Sequence, residues 1–264
     1  MNIEQQYMQK VRKQRIQWFV FIVVLLALTV WAAIGTNFNL FVLFSGLSEG
    51  FSFLFHDLLP PSPATLPSLL DAALDTICMS FVAMILGSII AAVIAMFTAV
   101  TTTPFPRLRY FFRAATALLR NIPVLIWALI LVSGFGLGNL VGTLSLLIVS
   151  IGMLVRCFAE ALEEIDRGQL EALKATGASH LQMITSAVLP QFMPSFIGWS
   201  LFNLEINIRA STIVGMVGGG GLGFMIQSGI KLFQYKQVSM AIILVIVIVL
   251  ATEWLTGRVR ERLI

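Results

Sequence analysis

Charge is what this chain has least of. Only 11% of its 264 residues are Asp, Glu, Lys or Arg, against 58% hydrophobic, and the mean hydropathy is +0.92. A soluble domain carries about a quarter charged residues, so the composition excludes an ordinary soluble protein. Cysteine and histidine are equally sparse, with two of each. Cys78 and Cys157 both fall in predicted spans without neighbours at metal-ligand spacing, and read as inert core thiols. His56 stands beside Asp57, but one such pair does not make a metal or catalytic site, and no metal is expected. A Gly-x4-Gly-Lys-Ser/Thr run is also missing, so this chain offers no phosphate cradle for ATP. No cleavable signal peptide is expected: the apolar run 18–35 is long for one and lacks a clean small-x-small cleavage site.

What the chain does have is long apolar runs. A spanning helix needs about 20 predominantly apolar residues. Six runs qualify, at roughly 18–34, 76–100, 119–136, 139–158, 195–217 and 238–255. The fold class is therefore all-α, a polytopic membrane protein of about six transmembrane helices. The net charge of +4 and pI near 9.4 do not point to nucleic acid, because the basic residues sit at the ends of these runs. Lys10, Arg12, Lys13 and Arg15 precede the first. Arg107, Arg109, Arg113 and Arg120 lie between the second and third, Arg156, Arg167 and Lys174 after the fourth, and Arg258, Arg260 and Arg262 after the last. With six spans all four groups share one side, which the positive-inside rule makes cytoplasmic, with both termini there. The 35–75 loop has Glu49, Asp57, Asp71 and Asp75 and no Lys or Arg, as expected outside; only Lys231 and Lys236 run against the trend.

The loop pieces "FNLFVLFSG" and "FSFLFHDLLPPSP" are too short to span and read as interfacial or re-entrant. Spans three and four meet at "SGFGLGNLVG" (133–142), a tight hairpin turn. Pro123 falls in the first turn of span three, where a missing N–H is tolerated.

The longest polar stretch, 160–194, contains "EALKATGASHLQMITSAVLP". Residues 178–189 read as an amphipathic helix, with Pro190 and Pro194 punctuating the entry to span five. Gly177 permits a sharp turn between two short helices. The run resembles the cytoplasmic coupling motif of bacterial ABC importer permeases: Glu-Ala-Ala, three residues, Gly, nine residues, Ile, one residue, Leu-Pro. Glu171, Ala172, Gly177, Leu189 and Pro190 match it in identity and spacing, while Leu173 and Ala187 depart from it by apolar substitution. "FNLEINIRASTIVGMVGGGGLG" resembles the phosphonate-type branch of that family, through Phe202, Glu205, Asn207, Arg209, Thr212, Gly215, Val217 and Gly218. The likeness covers roughly 76–264, taken as the transmembrane domain; 1–75 holds the tail, first span and extracytoplasmic loop.

The resemblance implies a type I importer permease, not itself an enzyme, for a phosphorus oxyanion: a phosphonate, phosphite or phosphate ester. It implies ABC ATPase subunits docked on the coupling segment, using ATP and Mg that this chain does not bind. It also implies an extracytoplasmic substrate-binding protein and a second permease chain, either identical or paralogous, in the bacterial inner membrane. Two other classes stand beside it, an ion-coupled secondary transporter and a non-transporting assembly subunit. No inverted repeat supports the former, and neither explains the coupling motif.

Within span five, Glu205 and Arg209 are neighbours on one helix face. Intramembrane charges usually pair or face a water-filled path. Three readings are open: a structural ion pair, a path-lining Arg209 held by Glu205, and a proton-carrying Glu205; Asn203 and Asn207 extend the polar face. Met216 and Gly218, Gly219, Gly220 and Gly221 lie at the expected outer end, where they form either an outer gate or a plain turn.

Overall fold

The computed structural model describes residues 3–103 and 106–262, and every regular element in them is helical. The chain divides into two compact units, Met1–His56 and Asp57–Ile264. The first holds α1 (Ile3–Gly35) and α2 (Leu40–Ser52), the latter continued by a π-helical turn at Phe53–Leu58 that enters the second unit. From Trp18 to Ile34, α1 is apolar on every side, the mark of a helix solvated by lipid. Asn39 caps α2, its side chain accepting from the Phe41 N–H at 2.9 Å. With 13 residues α2 is too short to cross a membrane.

The second unit is built from α3 (Leu66–Thr98), α4 (Pro106–Asn121), α5 (Val124–Phe135), α6 (Asn139–Glu163), α7 (Arg167–Ala175), α8 (His180–Met183), α9 (Leu189–Val214), α10 (Gly221–Lys231) and α11 (Tyr235–Glu261). Its centre is the crossing of α3, α6 and α9. The buried stripe of α3 runs Ala72, Ala73, Thr76, Ser80, Ala83, Gly87, Ser88, Ala91 and Ala95, small residues at helical spacing. Lipid tails give helices no hydrophobic reason to associate, so close backbone approach and dispersion must do it, and small residues permit that approach. Gly87 lies against Ser150, and Gly152 sits so near the backbone of Arg120 and Thr116 that a Cβ there would clash at 2.9 Å. At the opposite end from the start of α3, Phe158 of α6 meets Phe192 and Phe196 of α9 with centroids 5.3 and 5.2 Å apart. Each such pair adds about 0.5–1.5 kcal/mol. Glu163, ending α6, takes Arg113 of α4 at 2.5 Å and the Val100 N–H at 3.0 Å, fastening the link between α3 and α4.

The spans differ from the sequence reading in three places. Among the described residues, four helical stretches are long and apolar enough to cross unbroken, and the total reaches six if each of two bent pairs counts as one span. The third span is not a straight helix from 119. Pro123 adopts φ −54°, ψ 142°, an extended conformation, and α4 and α5 meet there at 87°. A proline also biases the residue before it away from helix, so α4 ends at Asn121 and α5 has only 12 residues. In the fifth, Pro190 and Pro194 do not interrupt the helix. A π-helical turn at Ile184–Val188, with the Leu189 N–H reaching Ile184 O five residues back, widens the helix ahead of Pro190 and absorbs its missing donor. The helical path therefore runs from Leu181 to Gly219. The α3 helix also begins at Leu66, ten residues ahead of the expected start of span two.

Replacing Gly152 by Ala should destabilise the purified protein by about 1–3 kcal/mol, the usual cost of overpacking. Gly198→Ala, at a helical glycine with open space beside it, should be neutral within error. Thermal unfolding in detergent compares the two.

Candidate functional site

Three regions carry the residues singled out in the sequence. At the first, α7 closes in a left-handed cap. The Ala178 N–H bonds Leu173 O at 3.3 Å while Gly177 takes φ +80°, the conformation that a Cβ disfavours. Ser179 and Gln182 then form a reciprocal capping box for α8. The Ser179 N–H donates to Gln182 Oε1 at 2.8 Å and the Gln182 N–H to Ser179 Oγ at 3.4 Å. Glu171, Ala172 and Gly177 are exposed, and nothing approaches the missing Gly177 side chain within 4 Å. Ala187 and Val188, by contrast, are buried at the root of α9, with Leu189 half-buried and Pro190 exposed beside them. Gln191 donates to Gln169 at 2.8 Å and ties the base of α9 to α7. The five motif residues therefore split into an exposed knob and its attachment to the bundle.

The second region is the middle of α9. Glu205 is 6% exposed, and its principal partner is not Arg209. Its Oε1 accepts from Arg260 Nη2 of α11 at 2.7 Å and from the Thr256 hydroxyl in a short hydrogen bond. Arg209 Nη2 stands 3.8 Å from Oε2, beyond hydrogen-bond range, and Arg209 Nε donates instead to the Glu205 carbonyl at 3.3 Å. The Arg209 side chain remains 53% exposed. On α9, Trp199 and Ile213 are exposed as well. Asn207 points the other way. It is buried and donates to Ser150 Oγ at 3.0 Å, Asn203 Oδ1 at 3.1 Å and Ser80 O at 3.5 Å, joining α9 to α6 and α3. Glu205 and Arg209 thus share one charged cluster with Arg260, while Asn207 faces the helix crossing.

The third region is the glycine run, at the end of the bundle where α3 and α6 begin. It is not a loose end. A π-helical turn at Gly215–Gly219 passes into α10 through Gly218 (φ +107°), Gly220 (φ +82°) and Gly221 (φ +64°), with a bend of 54°. The Gly218 carbonyl accepts from the Gly138 N–H at 2.8 Å, and Leu222 N–H donates to Thr76 Oγ1 at 2.9 Å. A Cβ on Gly220 would lie 1.9 Å from Asn139 Oδ1, and one on Gly142 2.2 Å from Gly219 O. Beside this turn lies a cleft of about 480 Å³ whose lining includes Asp71, Asp75, Asn139, Gly220 and Phe224. Met216, within the π-helical turn, is exposed.

Sequence reasoning missed Thr256 and Arg260. A usable signal was their spacing: four apart, they face one side of α11. Arg260 had been absorbed into the topology signal as one of three C-terminal arginines.

This arrangement of bent spans, surface knob and close-packed core is the fold of a type I ABC importer permease. The chain superposes on an inward-facing MetNI methionine ABC transporter chain with a TM-score of 0.65, covering 77% of this chain and 99% of that one at 22% identity. A chain of a bacterial ABC transporter for alginate import gives a TM-score of 0.63 over 96% and 99%, at 15% identity. Residues 91–264 match the family described as binding-protein-dependent transport system inner membrane component, and the chain belongs to that family. It is a multi-pass membrane protein and a permease subunit of a binding-protein-dependent ABC importer. Among its relatives, the phosphite transport system permease protein PtxC of Stutzerimonas stutzeri is 34% identical over 203 residues, 77% of this chain and 74% of that protein. The phosphate-import permease protein PhnE of Mycolicibacterium smegmatis is 36% identical over 80% of this chain, which spans only 40% of that relative's length. The putative cryptic phosphonate transport system permease protein PhnE2 of Escherichia coli is 41% identical over 46% of this chain and 99% of that protein.

Gly220→Ala should reduce folding yield, since it combines a positive φ with a clash against the Asn139 side chain. Asn207→Ala should cost about 1–3 kcal/mol by leaving Ser150 and Asn203 short of a partner. Expression level and the unfolding midpoint check both.

Proposed function

We propose that this chain forms the membrane pathway of an importer for a phosphorus oxyanion, with a phosphonate as the preferred substrate class. The observation that carries the reading is Arg209: a half-exposed guanidinium inside a helix of the bundle, outside hydrogen-bond range of its neighbouring carboxylate. Charges at membrane depth are costly and usually face a water-filled path. A guanidinium presents five donors in a fork that fits a tetrahedral oxyanion. The names of the relatives, which span phosphate, phosphite and phosphonate, point to the same chemistry.

In this reading two ATPase subunits dock on the exposed α7–Gly177 knob of two permease chains. The end with the arginine-rich tails faces the cytoplasm. A substrate-binding protein delivers the anion to the opposite face, where the glycine turn and Met216 form the gate. Transport proceeds by alternating access. ATP and the loaded binding protein must each prefer one conformation, because a ligand indifferent to both shifts neither. The helical path from Leu181, just after the knob, to the glycine turn supports mechanical coupling of the two ends.

The test is uptake of methylphosphonate into proteoliposomes holding the permease with its ATPase and binding protein. Uptake should require internal ATP and the binding protein, and should collapse with Gly177→Trp although the complex remains in the membrane. Arg209→Ala should lower uptake by about tenfold or more, equivalent to at least ~1.4 kcal/mol of lost attraction. Uptake driven by a pH gradient alone would sink the proposal. A membrane-impermeant thiol reagent should label Ser45→Cys from outside intact cells and fail to label Glu261→Cys, in a background without Cys78 and Cys157.

A further inference from the structure

Three charged groups meet around Glu205: one carboxylate and two guanidinium groups. Arg260 is bound to Glu205 Oε1 at 2.7 Å, with the Thr256 hydroxyl on the same oxygen. Arg209 is 3.8 Å from the other oxygen and bonds only the backbone carbonyl of residue 205. The carboxylate is 6% exposed, so it needs a close counter-charge, and that need is met from α11. The cluster then carries one positive charge in excess, and the more exposed of the two arginines is Arg209, at 53% against 34%. We infer that Arg260 sets the positive charge that Arg209 presents, by neutralising Glu205 from the far side. Arg260 is a positioning residue. It acts on Arg209 through a carboxylate and is itself steadied by Phe202, whose ring centroid is 6.0 Å from the guanidinium carbon.

The chemical consequence is direct. Without Arg260, Arg209 is the one cation among the described residues that remains within 4 Å of Glu205. Arg209 has only to close a gap of 3.8 Å to form a charge-assisted bond, and the two charges then cancel. The bundle keeps a satisfied carboxylate but loses its free guanidinium. Lys at 260 preserves the charge. Removing both charges, with Gln at 205 and at 260, frees Arg209 again. The role of that free charge in transport rests on the oxyanion-path reading above, whereas the charge coupling itself does not.

The test is the rate at which phenylglyoxal, which condenses with an unpaired guanidinium, modifies Arg209 in the purified transporter complex, followed by mass spectrometry. Arg260→Gln should slow Arg209 modification about tenfold, while Arg260→Lys and the double variant Glu205→Gln/Arg260→Gln should return it to the original rate. An unchanged rate in Arg260→Gln overturns the inference. Should Arg260→Gln fail to fold, Glu205→Gln decides alone. The inference requires that it change Arg209 modification by less than about twofold, because the existing contact is weak; a tenfold acceleration would show Arg209 already neutralised and overturn it. Methylphosphonate uptake by the same variants separates the two claims. Slowed modification with unimpaired uptake supports the charge coupling and overturns the oxyanion-path reading.

Discussion

In a bilayer the protein must answer each of its own polar atoms, because no water is there to do it. Asn207 is where this constraint organises the bundle. Its amide joins Ser150 of α6, Asn203 of its own helix and the Ser80 carbonyl of α3. Those bonds can form only if the three helices cross within a few ångströms of one another. That requirement explains the small residues at the crossing: Ser80 and Gly87 on α3, and Ser150 on α6. A larger side chain at any of them would part the helices and leave a buried amide unpaired.

The same logic accounts for the glycine turn. A 54° change of direction leaves backbone groups that a helix would have satisfied internally. Here they find Gly138 and Thr76 as partners, and a Cβ on Gly221 would come within 2.5 Å of Thr76 Oγ1, one on Gly142 within 2.2 Å of the Gly219 carbonyl. The glycines are thus fixed by contact with α3 and α6. Their sharply positive dihedrals mark a turn held in one shape by its surroundings.

Much of this was legible in the chain. The apolar runs marked the four unbroken spans and the two bent pairs, and "EALKATG" marked a turn whose left-handed Gly177 the structure shows in a helix cap. What could not be read depended on distance or on competition between local preferences. Arg260 and Glu205 are 55 residues apart, so nothing at Glu205 named its partner, and the nearer Arg209 looked sufficient. Pro123 and Pro190 carry the same covalent restriction, yet one breaks a span by 87° while the other is absorbed by a π-helical turn. The difference lies in whether neighbouring helices hold the chain straight: Val188 and Phe192 pack into the core around Pro190, whereas Pro123 lies at the exposed edge of α5.

The helical path from Leu181 to the glycine turn is one long rod, ended by the positive φ of Gly218. Asn207 pins it to α3 and α6, and Phe192 and Phe196 pack it against Phe158. At ~1.5 Å per residue the arm towards the Gly177 knob is about 40 Å long, and the arm towards Gly218 about 16 Å. Together they exceed the ~30 Å hydrocarbon core of a bilayer. Even tilted by about 40°, such a rod stands partly outside the lipid.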